Sequence, residues 1–437
     1  MLVADLYELF IRCDQNISTD TRNILPRCIF FALRGDTFNG NLFAAQALAN
    51  GAAFAVVDDT NIAASDNRMV LVADVLDALQ QLSKHHRIAL GTMLIGLTGS
   101  NGKTTSKELM YAVLSRRFNT LATIGNLNNH IGVPLTLLRL RKEHEIGVIE
   151  MGANHQGEIE TLSILADPDI GVITNIGKAH IGTMGGLQGI IKTKCELYDH
   201  VRMRKGLVLV PSSQSVLLEK SAGVHRLIYG TQGHEDIVGE LGVNDQGFIR
   251  FRWRTKDTVP TEWVSTNLVG AYNLDNCLAA VALGTYLGLD PSEINAAISG
   301  YSPTNHRSQQ VRKGDVTYIM DAYNANPSSM TEALQSLAER PGKRGFVLGE
   351  MLELGEYAEA EHSAIVEMAM RMGPSLAVFV GDGFRECVSS MPGVNWVADA
   401  AGAKAVLDQI ELRDMTILIK GSRKNRLELL LNQDSGH

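Results

Sequence analysis

Residues 94–109, LIGLTGSNGKTTSKEL, limit what this chain can fold into more than any other stretch. The apolar run 94–97 reads as a buried strand, 98–102 as a tight turn of small residues, and the pattern from Lys103 onward as a helix. Strand, glycine loop and helix together form an anion site, because the backbone N–H groups of the loop and of the helix N-terminus point one way. Gly99, Ser100, Asn101 and Gly102 would make the cradle. Lys103 would reach the terminal phosphates and Thr104 would hold magnesium, with Thr105 the weaker choice. The general pattern has a glycine, four residues, then Gly-Lys-Ser/Thr. Here Leu97 stands at that first glycine position, so the loop is a short form. A glycine turn with a chance lysine is the plain alternative; the flanking strand and helix favour the phosphate site.

A chain of 437 residues has room for two to four domains with substantial cores. Its composition, 45% hydrophobic and 20% charged, is that of an ordinary soluble protein. A net charge of -8 argues against wrapping nucleic acid or lying on an anionic membrane, but leaves room for a small anionic substrate. Cys13, Cys28, Cys195, Cys277 and Cys387 are scattered, which fits neither a disulfide framework nor a zinc site and suits a reducing compartment. The N-terminal residues lack the basic start and apolar core of a signal peptide. No stretch reaches the roughly 18 apolar residues of a membrane helix. The expected location is the cytoplasm.

The pattern divides into three α/β domains, at 1–88, 89–303 and 304–437. The first alternates short strands (28–33, 53–57, 69–72) with helices (1–10, 42–50, 74–86), and reads STDTR at 18–22 and RGDTFNG at 34–40 as polar loops. In those loops Thr21, Arg22, Arg34 and Asp36 are turn formers before they are ligands. The second runs from the phosphate loop through strands at 146–150, 170–174 and 207–210 to Ala-rich helices at 273–287 and 291–298. Its residues 231–267 alternate loosely, with 248–253 the clearest strand. Residues 301–312 read as a domain junction, and the third domain alternates strands at 316–320, 345–348, 376–380 and 416–420 with helices.

Ligands in open α/β sheets collect beyond the C-terminal ends of strands. Glu150 ends one strand and is a plausible oxygen ligand for magnesium. Asn175 and His180 follow another; His180 suits a metal ligand, a base or a hydrogen-bonded loop residue. Lys194 lies on the next helix, and a plain ammonium there would repel a metal unless its charge were removed. Asp321, ending its strand, suits a ribose or metal contact or a simple turn. The basic residues within 421–426 suit an anionic substrate or a solvated loop.

The phosphate loop, Glu150, 175–180 and Lys194, with GNLNNHIGVPLTLLRL at 125–140, EMGANHQGEIETLSILADPDIGVITNIGKAH at 150–180, DAYNANPSSMTEAL at 321–334 and GEMLELG at 349–355, resemble the ATP-dependent Mur ligase superfamily of peptidoglycan synthesis. The likeness is nearest to the branch that adds D-alanyl-D-alanine, and it spans most of the chain in the expected order. It implies the three-domain Mur ligase architecture: an N-terminal UDP-binding α/β domain, a central P-loop ATPase-type domain and a C-terminal Rossmann-like α/β domain. It also implies a reaction. ATP phosphorylates the terminal carboxylate of a UDP-MurNAc-tripeptide, and the amine of D-alanyl-D-alanine attacks the acyl phosphate to give UDP-MurNAc-pentapeptide, ADP and phosphate.

The resemblance implies roles residue by residue. Lys103 holds the β/γ-phosphates, Thr104 one magnesium, Glu150 that metal or a second, and His180 the second. Lys194 matches a lysine that is N6-carboxylated in the family, which turns the ammonium into an anion. Asn273 and Asn276 match asparagines near the adenine; Tyr272 stands where histidine is frequent. Arg307 and Asp321 match contacts to nucleotide phosphate and ribose, with Tyr323, Asn324 and Asn326 in the same loop. Asn128 and Asn129 match residues near the phosphate and acceptor path, Asn129 as a catalytic group. Thr21, Arg22, Arg34 and Asp36 face the UDP-sugar, and Lys420, Ser422 and Arg423 the incoming dipeptide. The expected partners are the two substrates, without nucleic acid, and the expected state is a monomer. Two other readings compete: a sister amide ligase with another acceptor, and a nucleotide-gated binding protein without ligation.

Overall fold

The computed structural model describes residues 2–244, 247–303 and 307–431. They form two compact units, Met1–Gly96 with Phe118–Gly152 and Glu158–Ile170, and Leu97–Arg117 with Ala153–Gly157 and Gly171–His437.

In the first unit, strands Ile17–Ser18, Ile29–Phe31, Phe54–Val57 and Met69–Leu71 lie side by side in that order, all parallel. Strand side chains alternate faces, and both faces are apolar here. Ile29, Phe31, Val56 and Val70 pack against Leu6 and Phe10 of helix Val3–Arg12 and Leu79 and Leu82 of helix Val75–Leu90. Cys28, Phe30, Ala55 and Val57 pack the other way, on Ala44, Ala47 and Leu48. The side chain of Asp74 caps helix Val75–Leu90 by accepting from the Asp77 N–H at 2.7 Å, and Gly91 at φ 65° ends it. Buried Arg87 on that helix donates to the Ala166 carbonyl at 3.0 Å and pairs with Asp169 at 3.3 Å. Strand Ile146–Glu150 lies between Met93–Thr98 and Thr120–Ala122, parallel to the latter.

In the second unit, strands Ile170–Ile173, Leu207–Pro211, His225–Gly230, Ile237–Val243, Phe248–Thr255 and Val264–Val269 neighbour one another in chain order. Pairing is parallel from Leu207–Pro211 to Ile237–Val243, then antiparallel. The loosely alternating stretch is thus three antiparallel strands. In the middle one Ile249, Phe251 and Trp253 are buried while Arg250 and Arg252 face outward around Trp263.

A six-stranded sheet follows, in the order Gln309–Lys313, Val316–Asp321, Met415–Lys420, Lys343–Gly349, Leu376–Val380, Asn395–Val397. Only its first pair is antiparallel. From Val316–Asp321 the chain crosses past the place later taken by Met415–Lys420, so Asp321 and Lys420 end adjacent strands at the point where ligands gather in such sheets. Two short pieces differ from the sequence expectation. Residues 34–40 hold a hairpin, Arg34–Gly35 against Phe38–Asn39, and the supposed junction includes strand Gln309–Lys313. Both are too short or too polar to show an apolar period.

Candidate active site

The glycine loop ends strand Met93–Thr98 and opens helix Lys103–Leu114. Two glycines are required by both space and backbone. A Cβ on Gly99 (φ 145°) would fall 1.9 Å from Thr174 Oγ1, and one on Gly102 (φ 75°) 2.4 Å from Asn276 Oδ1. The loop is clamped from the neighbouring strand end. The Ser100 N–H donates to the Asn175 carbonyl at 3.0 Å and the Asn101 N–H to Asn175 Oδ1 at 3.0 Å. Ser100 Oγ donates to the Gly177 carbonyl at 3.0 Å and accepts from its N–H at 2.9 Å. Thr174 Oγ1 donates to the Asn101 carbonyl at 2.5 Å. Asn175 stood out in the sequence and Gly177 lies within the quoted stretch 175–180; Thr174 did not stand out, because a threonine ending a strand carries no distinguishing mark.

Lys103 turns its ammonium back onto the loop, 2.7 Å from the Gly99 carbonyl and 3.3 Å from that of Ser100. Asn101 Oδ1 accepts from Asn326 Nδ2 at 2.8 Å, while Asn101 Nδ2 is buried with no hydrogen-bond partner among the described residues. A buried orphan donor beside a lysine, in a loop at a helix N-terminus, fits a polyanion. Thr104 is buried on the first helical turn and Thr105 half-buried.

Asn273 and Asn276 are buried and spend their amides internally. Ser106 Oγ donates to Asn276 Oδ1 at 2.9 Å, Asn276 Nδ2 to Asn273 Oδ1 at 2.9 Å, and Asn273 Nδ2 to the Val269 carbonyl at 2.8 Å. The chain ties helix Asn273–Tyr286 to the phosphate-loop helix. The ring of Tyr272 is hydrogen-bonded to Ser308 Oγ at 2.7 Å, and burial raises its hydroxyl pKa far above the ordinary value.

His180 takes a left-handed backbone (φ 57°) at the start of Ile181–Met184 and pairs through Nδ1 with the carboxylate of Glu353, whose own φ is 63°. The imidazole beside it holds the Glu353 carboxyl below its usual range. Lys194 lies on helix Gly186–Met203 and is 1% exposed. Burying a plain ammonium costs several kcal/mol unless it is paired or modified. On the same helix Glu196 accepts from the Gly157 N–H at 2.9 Å.

At the adjoining strand ends Lys420 Nζ is 2.6 Å from Asp321 Oδ2 and 3.1 Å from the Asn324 carbonyl. The guanidinium of Arg307 stacks 3.8 Å from the Tyr323 ring, with Arg423 at 5.7 Å from the same ring. Arg307 Nε is buried with no hydrogen-bond partner among the described residues, again a donor suited to an anion. Ser422 Oγ donates to the Glu350 carbonyl at 2.7 Å.

In the first unit, Glu150 is 2% exposed at the end of its strand; Asn128 Nδ2 donates to its Oε1 at 2.8 Å. Asn129 Oδ1 accepts from the N–H groups of Ile131 and Gly132 in the turn that leads into helix Gly132–Leu137. Arg22 forms an exposed pair with Asp20, whose carboxyl it holds down at about 2. The Thr21 carbonyl accepts from Asn50 Nδ2 at 3.1 Å. Arg34 pairs with Asp58 at 2.6 Å, and Asp36 is exposed in the hairpin turn. Among the described residues no group of three or more His, Cys, Asp or Glu side chains is poised to hold a metal ion, and no helix is long and apolar enough to cross a membrane.

A phosphate loop opening a helix on one large sheet, a second α/β sheet after it and a buried lysine between them in sequence are the marks of a nucleotide-binding enzyme. Models of the Mur ligase family match three consecutive segments: the catalytic domain of the family at 15–87, the middle domain at 97–284 and the glutamate ligase domain at 306–423. The UDP-N-acetylmuramoyl-tripeptide–D-alanyl-D-alanine ligase of Bacillus subtilis (strain 168) is 38% identical over 352 residues, covering 79% of this chain and 75% of that protein. The enzyme so named from Escherichia coli (strain K12) is 35% identical over 430 residues, 94% and 92% of the two chains. Among solved structures, MurF from Acinetobacter baumannii superposes with a TM-score of 0.87 at 33% identity, covering 95% and 92%. MurF ligase from Thermotoga maritima in complex with ADP gives 0.86 at 25%, covering 96% of each chain. The chain belongs to the Mur ligase family and has its three-domain α/β architecture.

Proposed function

We propose that this chain joins D-alanyl-D-alanine to UDP-N-acetylmuramoyl-tripeptide at the expense of ATP, giving UDP-MurNAc-pentapeptide for peptidoglycan synthesis. The observation that carries this is a glycine loop and Lys103 built for a triphosphate, in a chain similar over nearly its whole length to enzymes named for that reaction. The chemistry is that of an amide ligase. A carboxylate is a poor electrophile, and transfer of the γ-phosphoryl group to the tripeptide carboxylate supplies a leaving group. The dipeptide amine then attacks the acyl phosphate, and phosphate departs from the tetrahedral intermediate.

Each residue then has a task. On nucleotide binding Lys103 exchanges its loop carbonyls for the β/γ-phosphates, offsetting charge as the phosphoryl group moves. Asn101 Nδ2 and Arg307 Nε, which have no partner among the described residues, gain acceptors. Asn273 and Asn276 flank the adenine, while Asp321, Tyr323, Asn324 and Asn326 line the nucleotide from the C-terminal domain. Thr104 would hold one magnesium, Glu150 that metal or a second, and His180 with an N6-carboxylated Lys194 the second; bound magnesium would supply charge neutralisation and Lewis acidity. Asn128 holds the Glu150 carboxylate, and Asn129 shapes the acceptor path through the turn it braces. Thr21, Arg22, Arg34 and Asp36 face the UDP-sugar, and Lys420, Ser422 and Arg423 the dipeptide. We place the domain limits at 1–88, 89–303 and 304–437, the protein in the cytoplasm, and the working form as a monomer. The test is isotopic: with 18O in the terminal carboxylate of the tripeptide, one label should appear in the released phosphate. Unlabelled phosphate would exclude the acyl phosphate.

A further inference from the structure

The segment GEMLELG was singled out in the sequence without a task for Glu353. In the structure Glu353 reaches from the C-terminal sheet to His180 and closes an ion pair with Nδ1. Both residues occupy left-handed backbone conformations, His180 at φ 57° and Glu353 at φ 63°, which is costly for residues with a Cβ and is held only where surroundings enforce it. The enforcement is visible. The Gly182 N–H donates to the Glu353 carbonyl at 3.2 Å. A Cβ on Gly182 would lie 2.6 Å from the Gly355 nitrogen, so the two loops meet backbone to backbone. Beside them Lys178 pairs with Glu361 and its N–H donates to Ser328 Oγ at 2.9 Å.

We propose that Glu353 is a positioning residue for His180: its carboxylate fixes the proton on Nδ1 and leaves Nε2 to face the metal. This rests on the reading of His180 as a metal ligand. A histidine that binds metal through one nitrogen commonly donates the other N–H to a carboxylate, which sets tautomer and ring orientation. The unusual element here is the source of that carboxylate. It comes from a different sheet than His180, so the imidazole is oriented only while the loop 349–355 is docked on 180–185. Docking of the C-terminal domain and readiness of the metal site are thereby one event.

The test uses the full chain with a non-hydrolysable ATP analogue, and titrates Mn2+ by its electron paramagnetic resonance signal in wild type, H180A, E353A, E353Q and E361Q. Nitrogen-15 NMR of the imidazole reports the tautomer alongside. H180A identifies the Mn2+ ion that depends on the imidazole. E353A should weaken that same ion by about 10–100-fold, and the imidazole should lose its single Nδ1-protonated tautomer. E353Q should recover part of both, since its amide oxygen still accepts from Nδ1 and its shape preserves the fold. E361Q, which removes only the neighbouring pair, should bind Mn2+ as wild type does. Unchanged Mn2+ affinity in E353A with loss in H180A would overturn the proposal while sparing the metal role of His180. An equal loss in E361Q would also overturn it, showing that docking alone matters. Unchanged affinity in H180A would remove the metal role, and the proposal with it.

Discussion

The ammonium of Lys103 donates to the carbonyl of Gly99, four residues earlier in the same loop, at 2.7 Å. The lysine thus closes the loop on itself and holds a cation where a phosphate would rest. Replacing Lys103 by Ala should lower kcat by about two to three orders of magnitude, the scale seen when one preorganised donor to transition-state charge is lost. Phosphate release under saturating ATP measures this, and a melting temperature near that of wild type would show that the fold is intact.

Gly102→Ala acts through the backbone. At φ 75°, with Asn276 Oδ1 only 2.4 Å from the added Cβ, the substitution should cost about 1–3 kcal/mol of stability and weaken nucleotide binding. Denaturant unfolding and ATP titration together would check it. Gly288→Ala, also at positive φ but with open space around the Cβ, should share the backbone cost and leave ATP affinity unchanged.

Lys420 is 2% exposed and its 2.6 Å contact with Asp321 joins the ends of neighbouring strands. Removing one partner of such a pair strands a buried charge, so Asp321→Ala should destabilise by about 3 kcal/mol. The double change D321A with K420M should recover much of that loss. A double-mutant cycle in urea reads the coupling directly.

Glu332 gives the stability a pH dependence. Burial, helped by the negative charges of Asp321 and Asp275 and opposed by Lys420, pushes its carboxyl from the ordinary 4.5 up to about 7. The folded state therefore holds this proton more tightly than the unfolded chain. Its contribution to stability is fully present below pH 4.5 and is lost as pH rises through about 7. Glu332→Gln should remove this fall and be the more stable protein at pH 8, by on the order of 2 kcal/mol. Urea midpoints of the two proteins between pH 5 and 8 should converge at the acid end; parallel curves would contradict the assignment.

What could be read from the sequence follows from which signals are local. The phosphate loop was legible because Gly99, Gly102, Lys103 and Thr104 lie within one turn and each has its own chemical reason. The strand ends at Glu150 and Asp321 were legible because an apolar run stops at a carboxylate. Strand Phe248–Thr255 was traced nearly to its end, but its partners Ile237–Val243 and Val264–Val269 were not, since edge-like strands mix polar residues into both faces. The hairpin at Arg34–Asn39 has two-residue strands, below the length at which alternation can be seen. Pairings such as His180 with Glu353 or Asn101 with Asn326 join segments far apart in the chain, and no local pattern announces them. The internal hydrogen bonds of Asn273 and Asn276 are similar: the residue types were noted, but their use in bracing the loop shows only in the fold.

The measurement closest to the central claim is phosphate release by the purified protein with ATP, magnesium and UDP-MurNAc-tripeptide, read with the mass of the product as the acceptor is changed. D-Alanyl-D-alanine should be required for sustained turnover and should give a UDP-MurNAc-pentapeptide, whereas D-alanine, D-glutamate or glycine should not substitute. Turnover with a single amino acid in place of the dipeptide, or ATP binding without ligation to any acceptor, would contradict the account.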